Sequence, residues 1–119
     1  MILKDDFFEI IERRGDDFFI KFNKNHFIYR AHFPQNPMTP GVIITQIATE
    51  LFQIITDSKL FLHKIKNLKF IAVINPQIDE SVWFRLSKIE QNGNIYSIFV
   101  EVTNSRQQFV KMRAEYLEV

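Results

Sequence analysis

A chain of 119 residues has room for one domain, here taken as 1–119, and not for two. A hydrophobic share of 46% with 24% charged residues excludes a disordered tail, a net charge of +1 argues against a nucleic-acid partner, and the lack of cysteine rules out disulfides, thiol nucleophiles and cysteine–metal clusters. No apolar run approaches the ~20 residues that span a bilayer, and the opening Met-Ile-Leu-Lys-Asp-Asp has no signal-peptide pattern, so no membrane contact and a cytoplasmic location are expected.

Asp6 to Arg14 reads two ways. Phe7, Phe8 and Ile11 suit a helix, whereas the turn at Gly15-Asp16-Asp17 and the strand-like Phe18-Phe19-Ile20-Lys21-Phe22 suggest a hairpin. A loop is expected from Asn23 to Pro40. A helix then spans Thr39 to Thr56, with Thr39 as N-cap and Pro40 in the first helical position, where no N–H is needed. At about 100° per residue, Ile43, Ile44, Ile47, Ala48, Leu51, Phe52, Ile54 and Ile55 share one side. Thr45, Gln46, Thr49, Glu50 and Gln53 share the other, polar side.

Strands fill the remainder. Leu68, Phe70, Ala72 and Ile74 alternate with Lys69, Ile71 and Val73 until Pro76. Val82, Phe84 and Leu86 form a second face, Ile98, Val100 and Val102 a third, and Val110, Met112, Ala114 and Tyr116 a fourth. Asn92-Gly93 predicts a two-residue hairpin turn. The order predicts an α+β domain: a short β unit, one buried helix, then a four-strand antiparallel meander.

The segment Ala31 to Val42 carries the chemistry. A loop stiffened by Pro34, Pro37 and Pro40 delivers His32 just before a helix that opens with Gly41-Val42. The first amides of a helix have no intrahelical partner and carry partial positive charge. The N–H groups of Gly41 and Val42 would suit a thioester carbonyl on which enolate-like charge develops, with His32 as the base. The same residues also fit an ordinary proline-rich loop with a surface or capping histidine. His26 and His63 lack partners at metal-ligand spacing, so neither a metal nor another cofactor is expected. Tyr29 and Arg30 are placed beside the loop, at a pocket mouth or in solvent. His63, Lys64, Lys66 and Lys69, with Arg106, Lys111 and Arg113, form either a solvated face or a surface for an acidic partner.

His32, Phe33, Pro34, Pro37, Pro40, Gly41 and Val42 resemble, at matching spacing, the motif of the hot-dog-fold 3-hydroxyacyl-carrier-protein dehydratases. Lys69-Phe70 followed by Pro76 is similar to a later strand and turn of that family. The resemblance implies a hot-dog fold in which strands pair across two subunits. It implies an acyl carrier protein with a phosphopantetheine-linked acyl chain as partner, a loop histidine and helix carboxylate as catalytic pair, and a site between subunits. The subunits would form a homodimer, or a heterodimer with a related hot-dog chain.

One departure bears on the chemistry. The family's helix Glu falls on Gln46, and its Gln, one turn later, on Glu50. The resemblance thus nominates His32, Gln46 and Glu50 as catalytic positions, with acid and amide exchanged. Either Glu50 replaces the lost acid through a water, or a water held by Gln46 does so while Glu50 simply faces solvent on the helix's polar side. A non-catalytic subunit that completes a partner's site, and a hot-dog thioesterase, are the competing expectations.

Overall fold

The computed structural model describes residues 1–31 and 34–119. The elements are β1 (Phe8–Arg14), β2 (Asp17–Phe22), α1 (Phe27–Ala31), α2 (Gly41–Thr56), β3 (Leu60–Phe70), β4 (Ser81–Asn92), β5 (Ile95–Thr103) and β6 (Gln108–Glu118). One antiparallel sheet holds the six strands in the order β1-β2-β4-β5-β6-β3, with α2 packed on it. This is the expected hot-dog architecture. Among the described residues no helix is long and apolar enough to cross a membrane.

The N-terminal ambiguity resolves as a hairpin, because Phe8, Phe18, Ile20 and Phe22 need the period-two placement of a strand to reach the core. Gly15 supplies positive φ at the first loop position between the paired Arg14 and Asp17. Gly93 does the same between Asn92 and Ile95. The second turn is therefore Gly93-Asn94, one residue later than predicted, and suits the type in which glycine comes first.

Two further expectations are corrected. The meander has three strands, β4-β5-β6, not four. The connection over residues 71–80 carries the chain across the sheet, so β3 pairs with β6 at the far edge and leaves its other edge open. The β3 ladder also starts at Leu60 and stops at Phe70, earlier than the alternation to Ile74 suggests. It ends where the amides of Ile71 and Ala72 both turn to the Phe109 carbonyl, at 2.7 and 3.3 Å. The predicted loop after Asn23 contains the short helix α1.

The crossover is pinned by Asp79, which is 5% exposed. Its carboxylate accepts bonds from Asn104 Nδ2 and Arg106 Nε at 2.9 and 3.1 Å and from Arg106 Nη2, joining the crossover to the β5–β6 turn. Arg106 is thereby removed from the basic surface grouped above. The guanidinium holds the Asp79 carboxyl below the ordinary carboxylate range, against the opposing effect of burial. A depressed folded-state pKa means that this stabilisation is complete above the unfolded value of about 3.9. It fades as pH falls through the folded value. Urea midpoints followed from pH 6 to pH 2 should show Asp79→Asn losing less stability on acidification than wild type. Parallel curves would remove Asp79 from the acid response.

Candidate functional site

The start of α2 is fixed from two sides. The Thr39 amide donates to the Ile74 carbonyl at 2.8 Å, and its hydroxyl meets the Tyr29 hydroxyl at 2.9 Å. Tyr29 is buried against Phe7, with ring centroids 5.0 Å apart, and burial raises its phenol pKa well above the ordinary value. Thr39 is thus not the N-cap. Pro40 takes that place in extended backbone and, having no side-chain donor or acceptor, caps nothing. Its carbonyl accepts the amides of Ile43 and Ile44, which leaves those of Gly41 and Val42 ahead of the intrahelical ladder, as predicted.

The approach of Phe70 requires glycine at position 41. A Cβ placed there would lie 2.6 Å from Phe70 Cζ, so the ring needs the missing side chain. Phe70, Ile71, Val73, Met38, Pro40 and Ile44 help line a pocket of about 420 Å³ at this helix end. That volume falls in the range of small-molecule sites, roughly 300–1,000 Å³. The alternation had assigned Phe70 only to a strand face. The Lys69-Phe70 likeness to the family strand was the available signal for a role beside the site.

One turn into α2, the exchanged pair is in contact. Gln46 Nε2 donates to Glu50 Oε2 at 2.9 Å and to the Met1 carbonyl at 2.8 Å. Glu50 does not face solvent: it is 7% exposed and accepts the Leu3 amide at 2.8 Å and the Lys4 amide at 2.8 Å. Residues 1–4 lie along the polar side of the helix, and Leu3 is buried in the core. The helical periodicity placed Glu50 correctly on the helix. It could not show that a segment 46 residues away in sequence covers that face. Val42 is exposed. His32 lies outside the described residues, so its relation to Gly41, Val42, Gln46 and Glu50 is not part of this geometry.

The other histidines divide. His26 is buried, its Nε2 3.0 Å from Asp6 Oδ2 while its Nδ1 accepts the Ile28 amide at 3.1 Å. Both ring nitrogens therefore serve the local fold. His63 sits in β3 with Lys64, Lys66 and Lys69. Lys66 pairs with Glu115 at 3.0 Å, and Lys66, then Lys64 and His63, hold the Glu115 carboxyl below its usual range. Lys111 and Arg113 of β6 lie opposite Lys69 and Asn67, so the predicted basic group assembles without Arg106. No three metal-ligating side chains gather among the described residues.

Several hot-dog proteins of known structure share the fold. A hypothetical thioesterase from Streptococcus pneumoniae, solved with coenzyme A, superposes with a TM-score of 0.67 at 10% identity, covering 94% of this chain and 85% of that one. A thioesterase from Haemophilus influenzae gives 0.65 at 14% identity, over 94% and 78%. The Escherichia coli PaaI protein from the phenylacetic acid degradation operon gives 0.62 at 9%, over 94% and 79%. A search of curated proteins finds no match. The model of one family, described as ApeI dehydratase, matches residues 12–113, a span that includes the loop, the start of α2, the Gln46–Glu50 pair and Phe70. The chain belongs to the ApeI-like dehydratase family.

Proposed function

We propose that this chain acts as a dehydratase on 3-hydroxyacyl thioesters carried by the phosphopantetheine arm of an acyl carrier protein. The observation that carries the reading is the helix start, where the amides of Gly41 and Val42 stand ahead of the intrahelical ladder and Gly41 lines an apolar pocket of about 420 Å³. The thioester carbonyl would accept those two N–H bonds, which strengthen as enolate charge develops. His32, the family's loop base, would take the α-proton. The imidazolium so formed would return that proton to the 3-hydroxyl, which leaves as water as the C–O bond breaks, giving the 2-enoyl thioester. The apolar walls suit an acyl chain, and the lysines of β3 and β6 suit an acidic carrier. The open β3 edge, with Phe61, Ile65 and Phe70 exposed, supports pairing with a second hot-dog chain.

One observation favours a second reading, a subunit that completes a partner's site. Glu50, the only carboxylate at the family's catalytic helix positions, is occupied by two backbone amides and Gln46. The same occupancy argues against Glu50 as the water-activating base of a thioesterase.

The deciding experiment incubates the purified chain with 3-hydroxyacyl carrier proteins of several chain lengths, alone and with a related hot-dog chain carrying the helix Glu. Enoyl product and free acid are both measured. Enoyl product from the chain alone supports the dehydratase. Product only in the mixture, lost in His32→Ala of this chain, supports the completing subunit. Free acid without enoyl product overturns both in favour of hydrolysis.

A further inference from the structure

A hydroxyl just ahead of a helix commonly turns back and accepts one of the first amides. In Thr39-Pro40-Gly41 the local form of that bond is a turn in which the threonine oxygen takes the N–H two residues on, that of Gly41. Thr39 does not make it. Its hydroxyl, in a residue 6% exposed, shares a hydrogen bond of 2.9 Å with the hydroxyl of Tyr29, ten residues back. Helix α2 accordingly carries no side-chain cap. The expected cap fails because another residue has taken the capping group.

Tyr29 meets Thr39 from a fixed base. Its ring packs against Phe7, and its amide donates to the His26 carbonyl at 3.1 Å. His26 is in turn tied to Asp6 and to the Ile28 amide. The Thr39 amide is engaged by the Ile74 carbonyl at 2.8 Å, so both polar groups of this residue that could move are held. A threonine hydroxyl turned to α1 is turned away from the start of α2. The chain's own competitor for the Gly41 N–H is thereby withdrawn, and Gly41 lines the apolar pocket of about 420 Å³.

We propose that Tyr29 is a positioning residue for the thioester-binding amides: by engaging the Thr39 hydroxyl, it keeps the Gly41 N–H open to a ligand carbonyl. The proposal rests on the thioester reading above and adds the residue that maintains its carbonyl site. Without the phenolic hydroxyl, Thr39 is left with a buried, unpaired hydroxyl, a costly state. Turning to the Gly41 amide relieves it and caps the helix. A ligand carbonyl must then displace that bond. Its affinity falls by about fivefold, the scale of one net hydrogen bond. Removing the Thr39 hydroxyl as well removes the competitor, and the affinity returns. A role in packing alone has no such reversal, because a second cut in the same contact cannot repair the first.

The test uses the full chain and two readouts: solvent exchange of the Gly41 amide by NMR, and calorimetric affinity for octanoyl-pantetheine amide, in which nitrogen replaces the thioester sulfur. Tyr29→Phe retains the ring against Phe7. It is expected to slow Gly41 exchange and weaken the ligand, each by about fivefold. Tyr29→Phe with Thr39→Val should return both to wild-type values. A generally loosened fold would instead speed Gly41 exchange and persist in the double variant. Should Tyr29→Phe fail to fold, Thr39→Val breaks the same bond from its other end. Retained affinity there supports the proposal, and a comparable loss overturns it. Unchanged or faster Gly41 exchange in Tyr29→Phe, or no recovery in the double variant, overturns the proposal while wild-type binding keeps the thioester reading intact. No binding of the amide by wild type overturns the thioester reading and this proposal with it.

Discussion

Gln46→Glu is expected to raise turnover of 3-hydroxyacyl carrier-protein substrates by part of the ~10²–10⁴-fold that one acid–base group supplies. The hydroxyl must leave with a proton, and an amide at position 46 has none to give at useful pH. Nor is Glu50 free to supply it, because the Leu3 and Lys4 amides and Gln46 already bind its oxygens. In the variant, the new carboxyl replaces an amide that stood 2.9 Å from Glu50 Oε2. Two carboxylates that close cannot both be ionised, so one retains a proton. The Leu3 and Lys4 amides already engage the Glu50 oxygens, so a proton on the new carboxyl is the one within reach of substrate. A retained proton at position 46 is what the departing hydroxyl requires. Gln46→Glu combined with Glu50→Gln recreates the family order, yet gives up the anion that gathers residues 3 and 4. The single variant should therefore exceed the double in kcat/KM, as measured by initial rates of enoyl formation. If wild type is already as fast as Gln46→Glu and Glu50→Gln abolishes its activity, Glu50 is the working acid and this assignment fails.

Glu50→Ala is expected to cost about 3 kcal/mol of folding stability, since each buried donor left unpaired costs about 1–3 kcal/mol. The Leu3 amide loses its carboxylate in a buried setting and the Lys4 amide in a partly buried one. Gln46 keeps the Met1 carbonyl but loses its other acceptor. By contrast, removing the exposed Lys4–Asp5 ion pair should cost less than about 1 kcal/mol. Urea unfolding supplies the stability difference, and hydrogen exchange at Leu3 and Lys4 locates it. Faster exchange there, with the strands unchanged, is the expected pattern. Wild-type stability in Glu50→Ala would show that the carboxylate is not what holds residues 1–4 to the helix.

Most of the fold was legible because period and position agree. The β2, β4, β5 and β6 core faces follow period-two alternation, and the apolar stripe of α2 follows the helical period. What local pattern could not carry was long-range pairing. That β3 lies beside β6 rather than β4 depends on where residues 71–80 lead the chain. At the site, the spacing from Pro40 to Val42 was enough to foresee unladdered amides at the helix start. The state of Glu50 was hidden because its partners are backbone amides of Leu3 and Lys4, and a backbone amide has no signature in the residue type that bears it. Phe70 was seen as a strand residue, but its approach to Gly41 joins two segments whose proximity no periodicity encodes.

The outer edge of β3 also bears on how the newly made chain avoids sticking to the wrong strands. An eleven-residue edge with exposed Phe61, Ile65 and Phe70 is a template for indiscriminate β aggregation. Two features oppose that outcome. The register of β3 against β6 breaks between Leu62 and Lys64 and again between Ile65 and Asn67, so the edge is not a flat ladder. Lys64, Lys66 and Lys69 are exposed along the same strand, where stacked identical copies would bring like charges together. Straightening the strand or neutralising its lysines should therefore leave the fold intact while shifting the purified protein towards fibrils and precipitate.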